Sequence, residues 1–97
     1  MTVEELQRLK EIIRPVAEQY GVERVSLFGS RARGEERPDS DYDLLVSCPN
    51  IKSLFKLGGL LNSFEDALMS DVDIVTEDSN DKEFIQDIKQ DAVVLYE

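Results

Sequence analysis

The sequence contains no histidine, no tryptophan and a single cysteine among its 97 residues. Without histidine, imidazole acid–base catalysis and histidine-ligated metals are excluded, and the same absence argues against zinc. Cys48 cannot form an internal disulfide and has no imidazole to activate it, so we expect a small strand-end residue in a reducing, cytoplasmic compartment. No apolar run approaches the ~18–20 residues of a membrane span. Charged side chains within residues 1–20 argue against a secretory signal.

Basic side chains are scarce after residue 37. Residues 1–37 contain seven basic and seven acidic side chains, whereas residues 38–97 contain four basic and 14 acidic ones. The second segment therefore carries the whole net charge of −10. A surface this acidic repels phosphates, which argues against general nucleic-acid binding and makes divalent cations or a basic protein the natural partners.

The pattern of apolar residues predicts one α/β (α+β) domain over residues 1–97. A helix begins at the capping pair Thr2 and Glu5 and ends at Gly21, and strands are predicted at 22–28, 41–47, 72–76 and 92–96. Apolar side chains at 51–68 and 84–88 predict two further helices, the first weakened by two internal glycines. The expected architecture is a mixed β-sheet covered by helices.

Two aspartates, Asp41 and Asp43, lie two residues apart in the second predicted strand. Their carboxylates project from the same face, and adjacent anions repel unless a cation intervenes; the alternative is a solvated edge strand. Carboxylate oxygens favour Mg²⁺ or Mn²⁺, and a two-ion site needs a third ligand. Asp73 is the first candidate, because we expect it to be buried and in need of a partner, and Asp71 is the second. Tyr42 either stacks on a base or, as we expect, faces the core.

A glycine turn, Gly29-Ser30, ends the first predicted strand. Glycine lets a ligand approach the backbone closely, and the exposed amides together with the Ser30 hydroxyl can hold phosphate oxygens. The alternative is a simple tight turn. Three arginines follow, which either neutralise a triphosphate or are solvated and paired with neighbouring glutamates: Arg31, Arg33 and Arg37.

Gly29-Ser30, ten residues, then Asp41-Tyr42-Asp43 resembles the GS-x(10)-DxD signature of the minimal nucleotidyltransferases in the DNA polymerase beta superfamily. The fuller pattern, GSxARG followed by SDxDLxV, is matched over residues 29–46, and residues 72–75 resemble the strand that carries the third carboxylate. This resemblance implies a polymerase-beta-like palm. It also implies transfer of AMP from Mg-bound ATP to a hydroxyl, with release of pyrophosphate.

The resemblance also assigns roles to residues. It implies that Asp41 and Asp43 hold two Mg²⁺ ions, and that Asp73 holds the catalytic ion and helps to activate the attacking hydroxyl. The nucleotide-binding residues implied by the two motifs are Gly29, Ser30, Arg31, Arg33 and Ser40.

Stand-alone proteins of this kind resemble the antitoxins of toxin–antitoxin pairs, whose partner is a HEPN-family ribonuclease toxin. The resemblance implies a hetero-oligomer with the toxin and transfer of AMP to a toxin hydroxyl, typically that of a tyrosine. We expect no further domain for a small acceptor, and the acidic residues 38–97 suit a basic, RNA-cutting partner. One alternative is an antitoxin that only occludes the toxin's RNA site, although three clustered carboxylates favour the enzyme. The other is a nucleotidyltransferase for a small molecule or an RNA end.

Overall fold

A computed structural model describes residues 1–97, and its eight elements confirm the predicted order of helices and strands. They are α1 (Val3–Tyr20), β1 (Arg24–Phe28), α2 (Gly29–Arg33), β2 (Tyr42–Ser47), α3 (Leu54–Leu68), β3 (Val72–Thr76), α4 (Lys82–Asp91) and β4 (Val93–Tyr96). Three of the strands begin one or two residues later than predicted. None of the helices combines the length and apolar character needed to cross a membrane.

The ends of α1 follow from its local sequence. The Thr2 hydroxyl accepts a hydrogen bond from the Glu5 N–H at 3.1 Å, which satisfies a donor of the first turn. Gly21 ends the helix with a φ of 68°, a left-handed conformation that glycine adopts without steric cost. Pro15 lies inside α1 without ending it.

α3 begins at Leu54, three residues later than the apolar pattern predicts. Ser53 sets this boundary, because its hydroxyl accepts a hydrogen bond from the Lys56 N–H at 3.0 Å. The internal glycines do not interrupt the helix. Gly59 lies against Tyr20 of α1, where a Cβ atom would come within 3.1 Å of the phenol oxygen. The missing side chain therefore allows α1 and α3 to pack closely.

The four strands form one mixed sheet in the order β3-β2-β1-β4. β1 is antiparallel to β2 and to β4, whereas β2 and β3 are parallel, with Asp43 paired to Asp73. Backbone hydrogen bonds continue the β2–β3 pairing beyond both ends: the Tyr42 N–H donates to the Asp71 carbonyl at 3.0 Å, and the Glu77 N–H donates to the Val46 carbonyl at 2.9 Å. β3 lies at the edge of the sheet. The hydrogen bonds at both of its ends fix its register against β2 along the whole strand.

The two faces of the sheet bury different amounts of apolar surface. Because strand residues alternate, β2 directs Leu44 and Val46 to one face, and Asp43 and Leu45 to the other. The first face carries the main core, in which the largest fully buried side chains include Ile13, Val25, Leu27, Leu44, Val46, Leu60 and Phe64. The second face has only a small apolar patch, where Leu45 and Ile85 of α4 are buried outside that cluster.

Glu77 joins the edge of the sheet to β1 and α4. Its two carboxylate oxygens accept hydrogen bonds from Arg24, both at 2.9 Å, and the Lys89 ammonium lies 3.1 Å from one of them. The Arg24 hydrogen bonds, and then those of Lys89, hold the pKa of Glu77 below its ordinary value of 4.5, although burial opposes them. The interaction of Glu77 with Arg24 and Lys89 therefore stabilises the fold fully above pH 4.5. The stabilisation is lost as the pH falls through the lowered pKa of Glu77.

We expect Glu77→Gln to reduce the free energy of unfolding by about 1–2 kcal/mol at pH 7, since it removes charge-assisted hydrogen bonds from a mostly buried oxygen pair. The deficit should shrink as the pH falls through the lowered pKa of Glu77, because the wild-type carboxylate becomes protonated there. Urea denaturation at a series of pH values measures both effects. Glu97→Gln is the matched control, because Glu97 lies 4.0 Å from the same arginine but is 65% exposed. A loss that is equal in the two variants, or constant with pH, contradicts this account.

Candidate active site

Three aspartates converge where β2 and β3 begin. Asp43 and Asp73 are direct partners in the parallel pairing, and in-register partners project from the same face of the sheet. Their carboxylates are close enough to interact directly, and Asp41 adds a third negative charge. Burial, then the charges of Asp73 and Asp41, raise the pKa of Asp43 above its ordinary value, while Arg33 acts in the opposite direction. Burial, together with repulsion within this group, therefore disfavours the ionised form of its central carboxylate.

The three aspartates differ in exposure, and Asp73 is more exposed than we expected from the sequence. Asp43 is half-buried, whereas Asp41 and Asp73 are exposed. The expectation that Asp73 is buried was wrong, because β3 forms an edge of the sheet rather than its centre. Asp71 contributes its backbone carbonyl to Tyr42 at the start of the ladder.

The chemistry of the three carboxylates fits a hard divalent cation. They offer only oxygen donors, and a cation among them would relieve the repulsion that acts on Asp43. No three acidic or cysteine side chains are already arranged to hold a metal ion together. Because Asp41 and Asp73 are exposed, their side chains can rotate towards Asp43 without disturbing the core.

The glycine turn lies directly against this cluster. Phe28, the last residue of β1, pairs with Asp43, so the chain enters α2 beside the Asp43 carboxylate. Gly29 has a φ of 77°, and a Cβ atom there would overlap the Asp43 carboxylate oxygen. Both the backbone conformation and the close approach therefore require glycine. Ser30 follows in the first turn of α2, and its carbonyl accepts a hydrogen bond from the Glu35 N–H at 2.8 Å.

Arg31 is hydrogen-bonded to the loop that leads into β2. Its guanidinium donates two hydrogen bonds to the Ser40 carbonyl, at 2.6 and 3.2 Å, and lies 4.0 Å from the centre of the Tyr42 ring. Tyr42 packs against the main core, as expected, so this arginine lies on the face opposite Asp43. The Ser40 hydroxyl accepts a hydrogen bond from the Arg37 N–H at 2.7 Å. These contacts are structural, and nucleotide binding by Arg31 and Ser40 stays a prediction.

Arg33 lies on the same side as the carboxylates. Its charge acts on Asp43, and its side chain also donates to Glu35 at 3.2 Å between two exposed groups. The expected pairing of an arginine with a neighbouring glutamate therefore occurs here. An exposed ion pair of this kind is weak, so the guanidinium is available to a ligand.

Cys48 lies outside the cluster. It is buried, and burial followed by the charge of Asp78 raises the pKa of its thiol. A buried, protonated thiol is a poor nucleophile, which agrees with the expectation that Cys48 is structural.

Two of the cavities are lined by residues of α2. One, of about 310 Å³, includes the Arg31–Tyr42 stack and residues of α1, and no aspartate lines it. The other, of about 280 Å³, opens between Gly29 and α4 and includes Phe84 and Asp87. These α4 residues were not predicted from the sequence, because no motif marks them and only the packing of α4 brings them to Gly29.

Comparison with known proteins agrees with this geometry. Residues 10–97 match the family described as polymerase beta, nucleotidyltransferase. The chain is 38% identical over 80 residues to the protein adenylyltransferase MntA of Thermococcus cleftensis, an alignment that covers 81% of each protein. A solved structure provisionally assigned as a minimal nucleotidyltransferase is 34% identical, with a TM-score of 0.79 and coverage of 96% of this chain and 95% of that one.

Two toxin–antitoxin structures share the fold at lower identity. A chain from a toxin–antitoxin crystal structure with AMP-PNP is 24% identical, with a TM-score of 0.77 over 90% of this chain and 72% of that one. Another match comes from the complex of the tri-AMPylated HEPN toxin of Shewanella oneidensis with an MNT antitoxin. The matched chain is 22% identical, with a TM-score of 0.71 and coverage of 94% of this chain and 71% of that one. From the matched family and the covered relatives, this chain belongs to the polymerase beta nucleotidyltransferase family.

Proposed function

We propose that this protein is an antitoxin with protein adenylyltransferase activity. It transfers AMP from ATP to a hydroxyl group of a HEPN ribonuclease toxin, a tyrosine side chain, and thereby neutralises the toxin. The observation that carries this proposal is the in-register pairing of Asp43 with Asp73 beside Gly29. It brings the two separated parts of the family motif to one point on the sheet.

The three aspartates would hold the divalent cations. Asp41 and Asp43 would hold the two ions, and Asp73 would hold the catalytic ion and help to activate the acceptor hydroxyl. When bound, Mg²⁺ neutralises charge on the triphosphate and favours ionisation of the attacking hydroxyl. The edge position of β3 leaves Asp73 exposed, so an acceptor on another protein can reach it without opening the fold.

The remaining chemistry is positioning and proton transfer by the chain's own groups. The amides and hydroxyl of Gly29 and Ser30 bind the triphosphate, and Arg33 supplies positive charge close to Asp43. The acceptor oxygen bonds to the α-phosphorus while the bond from that phosphorus to the β-phosphate breaks. Pyrophosphate leaves with the electron pair, and the carboxylate of Asp73 accepts the hydroxyl proton.

The choice of acceptor rests on relatives and on charge. A relative with 38% identity is named a protein adenylyltransferase, and two fold neighbours come from toxin–antitoxin complexes, one with an AMPylated HEPN toxin. Residues 38–97 carry the whole net charge of −10. An acidic antitoxin complements a basic surface that binds RNA, which favours association with a ribonuclease.

We expect the toxin to gain one or more AMP groups when it is incubated with this chain and Mg-ATP. Intact-protein and peptide mass spectrometry measure the gain and identify the modified hydroxyl. Asp41→Ala combined with Asp43→Ala should reduce the rate by roughly 10²–10³-fold or more, because charge stabilisation at the reacting phosphate is lost.

The matched control combines Asp66→Ala with Asp78→Ala, which likewise removes two carboxylates, both of them exposed and neither in the cluster. It should leave the rate unchanged. If the toxin is neutralised by the Asp41/Asp43 variant without any mass change, occlusion replaces catalysis as the mechanism. Transfer of AMP to RNA or to small molecules alone would refute the proposed acceptor.

We also expect Mg²⁺ to raise the thermal midpoint of the chain by about 2–6 °C, because it binds the folded carboxylate cluster and not the unfolded chain. Asp43→Asn should raise the midpoint without Mg²⁺, since it removes a repelled charge, and should weaken the response to Mg²⁺. Differential scanning calorimetry measures both effects. Asp66→Asn, on α3, is the control and should respond as the wild type does. An unchanged Mg²⁺ response in Asp43→Asn places the ion elsewhere.

A further inference from the structure

The cavity between α2 and α4 has the composition of a site for a flat polar ring. Its volume is about 280 Å³, near the lower end of the ~300–1,000 Å³ found for small-molecule pockets. Its walls combine two aromatic rings, an aliphatic side chain and both signs of charge. The residues are Phe28, Gly29 and Arg33 on one side, and Phe84, Asp87, Ile88 and Asp91 of α4 on the other.

This cavity adjoins the candidate active site at Gly29, which belongs to both. One side of Gly29 faces the Asp43 carboxylate so closely that no Cβ atom fits, and the same residue lines the cavity. Arg33 also belongs to both, because it lines the cavity and its charge acts on Asp43. A molecule with its phosphates at Gly29 therefore has room for its remaining part in the cavity.

The α4 side chains in the cavity do not serve the folded core. Ile85 is the α4 residue that is buried against the sheet, whereas Phe84 remains 47% exposed at the cavity. Asp87 lies one helical turn further along the same face as Phe84. None of the ion pairs in the chain involves Asp87, so its carboxylate oxygens are free to accept hydrogen bonds.

We propose that this cavity binds the nucleobase of the transferred nucleotide and selects adenine over uracil. The Phe84 ring stacks on the base, and the Asp87 carboxylate accepts a hydrogen bond from the exocyclic amine. Adenine carries an N–H donor where uracil carries a carbonyl oxygen, which the same carboxylate repels. This inference rests on the proposed function, because it requires the triphosphate to lie at Gly29.

Isothermal titration calorimetry of the full chain with Mg-ATP, Mg-UTP and Mg-tripolyphosphate tests the inference. The wild type should bind ATP more tightly than either UTP or tripolyphosphate. Phe84→Ala should weaken ATP binding by about 5- to 50-fold through the loss of base stacking, and leave tripolyphosphate binding unchanged. Asp87→Ala should reduce the preference for ATP over UTP by about tenfold, again without affecting tripolyphosphate.

Matched controls remove the same chemical groups elsewhere. Phe55→Ala removes a phenyl ring that is 94% exposed on α3, and Asp66→Ala removes an exposed carboxylate of the same helix; both should bind all three ligands as the wild type does. If Phe84→Ala and Asp87→Ala bind ATP and UTP normally, the nucleobase site is refuted while the proposed function stands. The nucleobase site is also refuted if these variants instead raise the KM for the toxin alone. Failure of the wild type to bind any of the three ligands refutes the proposed function itself.

Discussion

The parallel pairing of β2 with β3 is the constraint on which the site depends. Asp43 and Asp73 are 30 residues apart in the chain, and only this register makes them direct neighbours. A slip of one residue would send the Asp73 carboxylate to the opposite face of the sheet. Hydrogen bonds beyond both ends of the ladder, at Tyr42 and at Glu77, oppose such a slip. The ion pairs of Glu77 with Arg24 and Lys89 anchor the far end of β3 to the rest of the fold.

β2 contributes residues to both the core and the site, because its two faces differ in polarity. Leu44 and Val46 are fully buried in the main core, while Asp43 faces the other side together with Leu45. Burial of the alternating apolar residues can offset the repulsion among the carboxylates. The exposed positions of Asp41 and Asp73 also limit that repulsion, since water screens charges at an edge strand.

The sequence was sufficient to predict the elements and the residues that meet, but not the environment of each residue. Capping residues and period-2 alternation are local signals, and they located α1 and the strands. The position of β3 at the sheet edge depends on pairing between distant segments, so the exposure of Asp73 was missed. The bonding of Arg31 to Ser40 and the cavity beside α4 likewise follow from tertiary packing, which no local pattern encodes.

The two arginines of α2 have different roles because tertiary packing places them on different sides of the sheet. Arg31 and Arg33 are two positions apart, so a helical turn points them to different sides of α2. Arg31 bonds to Ser40 and stacks on Tyr42, which fixes the loop that delivers Asp41. Arg33 approaches Asp43, yet burial, and then the repulsion from Asp73 and Asp41, still keep the pKa of that carboxyl raised. One guanidinium therefore does not balance three carboxylates, and the remaining negative charge favours the divalent cations that the proposed function requires.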